Sequence, residues 1–225
     1  MQGLIFIPDI SGFTNFVKNI DIDLGVSITK DLLNVILDNN SLDLDISEIE
    51  GDAVLFYKIG QPISLEKVFN CFRRMYEAFN TNYQHCKLLY NLRTNLSLKL
   101  VVHYGNIIVY DVKGFKKLYG ETIIESHQLL KNGNGASEYI LITKDYVKAL
   151  QQNISKVLVN DFKYNTCSSQ LYTGIKKIAY YFFSALKKSS QIPEQNLGRK
   201  SVSNDEYRTI VTKRNALIPG YCTIS

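Results

Sequence analysis

Residues 42–59 read Leu-Asp-Leu-Asp-Ile-Ser-Glu-Ile-Glu-Gly-Asp-Ala-Val-Leu-Phe-Tyr-Lys-Ile. Leu42, Leu44 and Ile46 alternate with Asp43, Asp45 and Ser47, the period-2 pattern of a strand with one buried face, over residues 42–50. Glu50-Gly51 supplies a tight turn, and residues 53–59 form a second strand. The stretch is therefore a β-hairpin. Upstream, the apolar run Leu4-Ile5-Phe6-Ile7 predicts a buried strand over residues 2–8, stopped by Pro8-Asp9. A helix start follows over 14–20. A longer helix over 23–37 carries Val26, Leu33 and Leu37 at helical spacing and ends at Asn39-Asn40-Ser41.

Downstream, Ser64 caps a helix that runs to about residue 90, with Glu66 in its first turn and Val68, Phe72, Met75 and Phe79 on its core face. Residues 96–103 alternate as a strand, and 106–112 are expected to pair back on them after Tyr104-Gly105. A helix over 120–131 is broken by Asn132-Gly133-Asn134-Gly135. A strand over 139–143 and a short helix over 144–151 come next, then further β or mixed material at 157–159 and 172–183. Hairpins separated by helices predict an α+β fold, with a mainly antiparallel sheet and helices on one face. No GxGxxG, P-loop or GxSxG motif is present, so dinucleotide-binding, Walker-type and α/β-hydrolase readings lack support.

The chain has 225 residues, 45% hydrophobic and 21% charged, which excludes disorder throughout. The longest apolar runs, such as 178–186, are too short to span a bilayer, and residues 1–30 lack a secretory pattern. Cys71, Cys86, Cys167 and Cys222 are scattered, with no CxxC pair. A reduced, cytoplasmic setting is expected, and His85-Cys86 with Cys71 is too sparse for zinc. Charge is segregated. Residues 1–52 hold ten acids against two lysines, a net of −8. Residues 53–186 hold 17 bases against 8 acids, a net of +9. Residues 187–225 hold 7 bases against 3 acids, a net of +4. A nucleic-acid binder would be basic across its binding face, so no nucleic-acid partner is expected. From Lys187 onward the chain reads as a basic polar tail.

Asp9 follows the first predicted strand, and Asp52 sits at the hairpin turn. Where the two strands are neighbours, both carboxylates emerge at one edge, as hard oxygen ligands suited to Mg²⁺ or Mn²⁺. Gly12 and Gly51 flank them and permit close backbone approach to a phosphate. The alternatives are a helix N-cap at Asp9 and a plain turn residue at Asp52. His103, near a strand end, reads as a packed histidine with one hydrogen bond.

Residues 6–14, Phe-Ile-Pro-Asp-Ile-Ser-Gly-Phe-Thr, resemble the first metal motif of the class III nucleotide cyclases, D-I-x-G-F-T, at Asp9, Ile10, Gly12, Phe13 and Thr14. Residues 48–53, Glu-Ile-Glu-Gly-Asp-Ala, resemble the second, and Val-Val-His-Tyr-Gly at 101–105 resembles the strand I-x-I-H-x-G. The match spans about residues 1–145. The resemblance implies a ferredoxin-like βααββαβ core and a cyclase-homology domain over 1–186, its core 1–145 plus a C-terminal strand extension. It implies a nucleoside triphosphate substrate, two Mg²⁺ or Mn²⁺ ions on Asp9 and Asp52, and conversion to a 3′,5′-cyclic nucleotide and pyrophosphate. It also implies a phosphate cradle at Ile10, Ser11, Gly12, Phe13 and Thr14, and a homodimer or a heterodimer with a related domain.

The chain departs from the family pattern on the helix after Gly120. Ile124 stands where the family has a ribose-binding asparagine, and Gln128 where it has an arginine that stabilises the transition-state phosphate. Lys131, three residues on, lies on the same helix face and is the candidate substitute, with His127 as another. Glu48 and Lys117 occupy the family's base-selecting positions without fitting one pattern. Three functions remain open: a divergent active cyclase, a cyclase homolog that binds nucleotide or metal without turnover, and a ferredoxin-like interaction module.

Overall fold

The computed structural model describes residues 1–131, 137–151, Ile154, 162–170 and 177–185. Its elements run β1 Gln2–Ser11, α1 Phe13–Lys18, α2 Ile22–Asp38, β2 Asp45–Glu50, β3 Ala53–Ile59, α3 Leu65–Leu89 and β4 Ser97–Asn106. They continue β5 Ile108–Val112, β6 Phe115–Tyr119, α4 Glu121–Leu130, β7 Tyr139–Thr143, α5 Lys144–Leu150, β8 Phe162–Gln170 and β9 Ile178–Ala185. All of them belong to the unit Met1–Lys187. The expected tail, 187–225, and the segment 157–159 lie outside the described residues.

The main sheet has the order β2-β3-β1-β4-β7-β9-β8. Every neighbouring pair is antiparallel except β4–β7. This is the expected α+β fold. Period-2 alternation divides β1 between two cores. Leu4, Phe6 and Ile10 join Ile28, Leu32 and Ile36 of α2 and Val68, Phe72, Met75 and Phe79 of α3. Ile5 and Ile7 face the other way, with Leu55, Tyr57 and Ile107, against Val109 and Leu118 of the β5–β6 ribbon and Ile123 and Leu130 of α4. So α2, α3 and α5 share one face, while α4 and the ribbon cover part of the other; the helices are not confined to one face as expected, because Ile5, Ile7 and Leu55 make the second face apolar too.

Several elements differ from expectation for identifiable reasons. β1 does not stop at Pro8. It runs to Ser11, and its pairing with β3 skips only Ile7 and Pro8, where proline has no N–H to give. Val26 is 64% exposed, because the buried stripe of α2 is Gly25, Ile28, Leu32 and Ile36. The alternation in 42–50 holds at buried Leu44, but Ile46 is already exposed on this edge strand, and a bulge between Ile46 and Glu48 then resets the register, with Ile49 exposed as well. Residues 106–112 do not pair back on the preceding strand. β4 continues through Gly105, where glycine serves close packing: a Cβ there would lie 2.5 Å from Thr122 Oγ1. β5 instead pairs with β6 around Lys113-Gly114, both at positive φ. Such turns favour Asn-Gly or Asp-Gly, and the lysine hides this one. β8 is likewise unexpected.

Asp21 caps α2, its carboxylate accepting from the N–H groups of Asp23 and Leu24 at 3.1 Å each. Asp21→Ala is expected to cost about 1 kcal/mol. A thermal melt should read this as a drop of about 2–4 °C.

Candidate functional site

β1 lies between β3 and β4, and Asp9 sits opposite Ala53 on one side and Lys99 on the other. Asp52 occupies the two-residue loop joining β2 and β3, after Gly51 at φ 62°. The Ile10 N–H donates to the Asp52 carbonyl at 3.2 Å, which docks the hairpin tip against the end of β1. The two carboxyl groups therefore meet. Burial, then the charge of neighbouring Asp9, pushes the Asp52 carboxyl up to about 6, and a side-chain hydrogen bond to Asp9 adds to the shift. Lys99 opposes it, with its Nζ 3.1 Å from Asp9 Oδ2. Two half-buried carboxylates crowded so that Asp52 holds its proton more tightly than usual make a donor set that a hard divalent cation would relieve. The residues present thus fit the metal that the sequence implied.

The segment after Asp9 is arranged differently from a free phosphate cradle. Ile10 and Ser11 are strand residues opposite Leu98 and Ser97, and the Ile10 N–H is already engaged by Asp52. Gly12 stands at φ 88° as the N-cap of α1, and a Cβ there would meet the Asn95 carbonyl oxygen at 2.4 Å. Its absent side chain is required by backbone packing. Phe13 stacks on Phe16 with centroids 6.1 Å apart, and Thr14 is exposed.

Glu48 and Lys117, from β2 and β6, are brought together: Lys117 Nζ donates to Glu48 Oε2 at 2.9 Å. His127 of α4 approaches Glu48 Oε1 at 3.9 Å. Glu48, Glu50 and His127 place one ligand atom each within 4.8 Å of one another. Ile124 is 53% exposed on α4, Gln128 is half-buried, and Lys131 is exposed at the helix C-cap.

His103 makes two hydrogen bonds rather than one. It is 1% exposed, with Nε2 2.7 Å from Glu125 Oε2 and Nδ1 2.8 Å from Thr143 Oγ1. The sequence reading missed Lys99, Glu125 and Thr143. Lys99 had a signal: with Ser97 and His103 it is a polar residue at an odd position of a strand whose even positions Leu98, Leu100 and Val102 are apolar, which puts it on the Asp9 face. Glu125 and Thr143 had none, since their partners come from other elements.

A family described as a protein of unknown function (DUF2652) matches residues 29–139. An uncharacterized protein of Mycobacterium tuberculosis, Rv2561/Rv2562, is 30% identical over 132 residues, 53% of this chain and 61% of that protein. The chain thus spans less than two thirds of that relative's length. Among solved structures, the adenylyl cyclase CyaB from P. aeruginosa aligns with a TM-score of 0.62 at 12% identity, covering 88% of this chain and 97% of that one. The guanylyl cyclase Cya2 aligns with a TM-score of 0.62 at 14% identity, covering 85% and 95%. The catalytic core of a rhodopsin-guanylyl cyclase in complex with ATPαS aligns with a TM-score of 0.56 at 13% identity, covering 82% and 96%. The chain has the fold of the adenylyl and guanylyl cyclase catalytic domains. Among the described residues, no helix is long and apolar enough to cross a membrane.

Proposed function

We propose that this chain is a divergent nucleotide cyclase, which binds a nucleoside triphosphate through two Mg²⁺ or Mn²⁺ ions at Asp9 and Asp52 and forms a 3′,5′-cyclic nucleotide. The observation that carries the reading is the convergence of the Asp9 and Asp52 carboxylates at the docked hairpin tip. Divalent ions bound there would neutralise triphosphate charge and favour ionisation of the ribose 3′-hydroxyl. The protein's own part is positional. β1 and the β2–β3 turn fix the two carboxylates, while the Lys99 ion pair orients Asp9. Glu48 with Lys117 would meet the base, and Gly51 would let the backbone approach the phosphates. Gln128 and Lys131 are the candidate groups toward the phosphate, with Ser11, Gly12, Phe13 and Thr14 beside it. A second domain, from a like or a related chain, would complete the site.

Ile124 and Gln128 favour a second reading, binding without turnover. A missing cation at a developing phosphate charge typically costs on the order of 10³-fold in rate. The test is incubation with Mn²⁺ and each of the four nucleoside triphosphates, with mass spectrometry for cyclic product and a thermal melt in parallel. The proposal expects cyclic product from at least one of them. Stabilisation without product selects the second reading. Neither product nor stabilisation overturns both.

A further inference from the structure

A second cluster lies elsewhere on the molecule. His103 is four residues along β4 from Lys99, roughly 13 Å away at strand rise. It faces a cavity of about 700 Å³ lined by His103, Asn106, Tyr119, Glu125, Asp145 and Lys148 among others, and by none of Asp9, Asp52 or Lys99. His103, Glu125 and Asp145 each bring one ligand atom into a group whose members lie within 4.8 Å of one another. From this arrangement we propose that His103, Glu125 and Asp145 form a binding site for a divalent transition-metal ion of the Zn²⁺ class, open to the cavity.

The donor set is one imidazole and two carboxylates, a combination that Zn²⁺ accepts. At zinc–ligand distances near 2.1 Å, neighbouring ligand atoms stand about 3.3 Å apart. The His103 Nε2–Glu125 Oε2 separation of 2.7 Å needs to open by about half an ångström. The surroundings are built for such a site. Thr143 Oγ1 holds His103 Nδ1 at 2.8 Å, the outer hydrogen bond that orients a metal-bound imidazole. A hydroxyl both donates and accepts, so Thr143 suits either tautomer.

An independent observation is the polarity of α4. Its buried stripe is Thr122, Glu125, Ser126 and Leu129, while Ile124 points to solvent. A helix normally buries its apolar side. Placing Glu125 at 1% exposure costs free energy that a packed leucine would avoid, and cation binding accounts for its presence. Asp145, exposed in the first turn of α5, closes the set from the cavity rim. Three protein ligands leave a fourth position toward the cavity, for water or a small oxygen anion.

The test uses chelator-stripped full-length protein in a double-asparagine background, Asp9→Asn and Asp52→Asn, with His127→Gln added so that the group of Glu48, Glu50 and His127 loses its imidazole. Titration with Zn²⁺ against a chromophoric chelator should find one equivalent, and Co²⁺ in its place should give the visible absorption of an imidazole-ligated ion. Asp145→Asn and Glu125→Gln should each weaken binding at least about tenfold, with the circular dichroism and melting of metal-free protein unchanged for Asp145→Asn. Thr143→Ala should weaken binding about tenfold and Thr143→Ser should restore it. No stoichiometric Zn²⁺ binding in the double-asparagine background would overturn the proposal. So would an affinity that Asp145→Asn leaves unchanged, a result that does not depend on whether Glu125→Gln folds.

Discussion

Asp52→Asn is expected to stabilise the metal-free protein while abolishing its response to Mn²⁺ and nucleoside triphosphate. Burial and the Asp9 charge raise the Asp52 carboxyl from 3.8 to about 6. The folded state therefore holds this proton more tightly than the unfolded chain does. Stability from this group is highest below about pH 4, falls as pH rises from about 4 to about 6, and stays reduced above that. Asparagine keeps the shape and can donate to Asp9 in place of the shared proton. With solvent screening allowed for at this half-buried site, the gain at pH 7 is on the order of 1 kcal/mol. Melts should show the variant higher by about 2–4 °C at pH 7 and level with the parent near pH 4. The same change removes a charged metal ligand, so stabilisation by Mn²⁺ with nucleotide, and any cyclic product, should disappear. A variant that still responds to metal and nucleotide would exclude Asp52 from the site. Metal binding by the parent should weaken as pH falls below about 6, where the proton competes.

Gly12→Ala is expected to cost about 3 kcal/mol, the larger of the two effects on stability. Two terms contribute. A φ of 88° is a left-handed conformation that an L side chain adopts at a cost of about 1–2 kcal/mol. The new Cβ would also stand 2.4 Å from the Asn95 carbonyl oxygen, so backbone must move. Gly114 is the control. Its φ is 86°, and a Cβ there meets nothing within 4 Å. Gly114→Ala should thus cost only the first term, and the difference between the two variants measures the contact. Melting of Gly12→Ala indistinguishable from Gly114→Ala would sink the packing account and return Gly12 to a role in phosphate approach alone. Because Gly12 joins β1 to α1, its displacement should also weaken nucleotide response.

The fold was legible wherever one face of an element is buried and the chain is regular. The α3 stripe Val68, Phe72, Met75 and Phe79 is such a case, since 3.6-residue periodicity and burial coincide over 25 residues. Hairpin 42–59 was legible for the same reason up to Leu44, and then a bulge broke the parity on which the reading depends. The β5–β6 ribbon was not, because its turn uses lysine where the local code favours asparagine or aspartate.

Two facts about the site were settled by sequence alone: which residue types are present, and that Asp52 sits at a hairpin turn; Asp9, expected just past the first strand, lies within β1. That residue 124 is isoleucine and residue 128 glutamine is likewise a sequence fact that no fold can alter. What only the tertiary structure decided is convergence. Asp9 and Asp52 become one electrostatic unit because β1 pairs with β3 and the Ile10 N–H seats the hairpin tip. His103, Glu125 and Asp145 meet because β4 lies beside β7 while α4 packs across the sheet face that both strands present. Local pattern encodes which face of an element is buried. It does not encode which distant element arrives there, and charges separated by 20 or more residues interact only once the sheet order has brought them within a few ångströms.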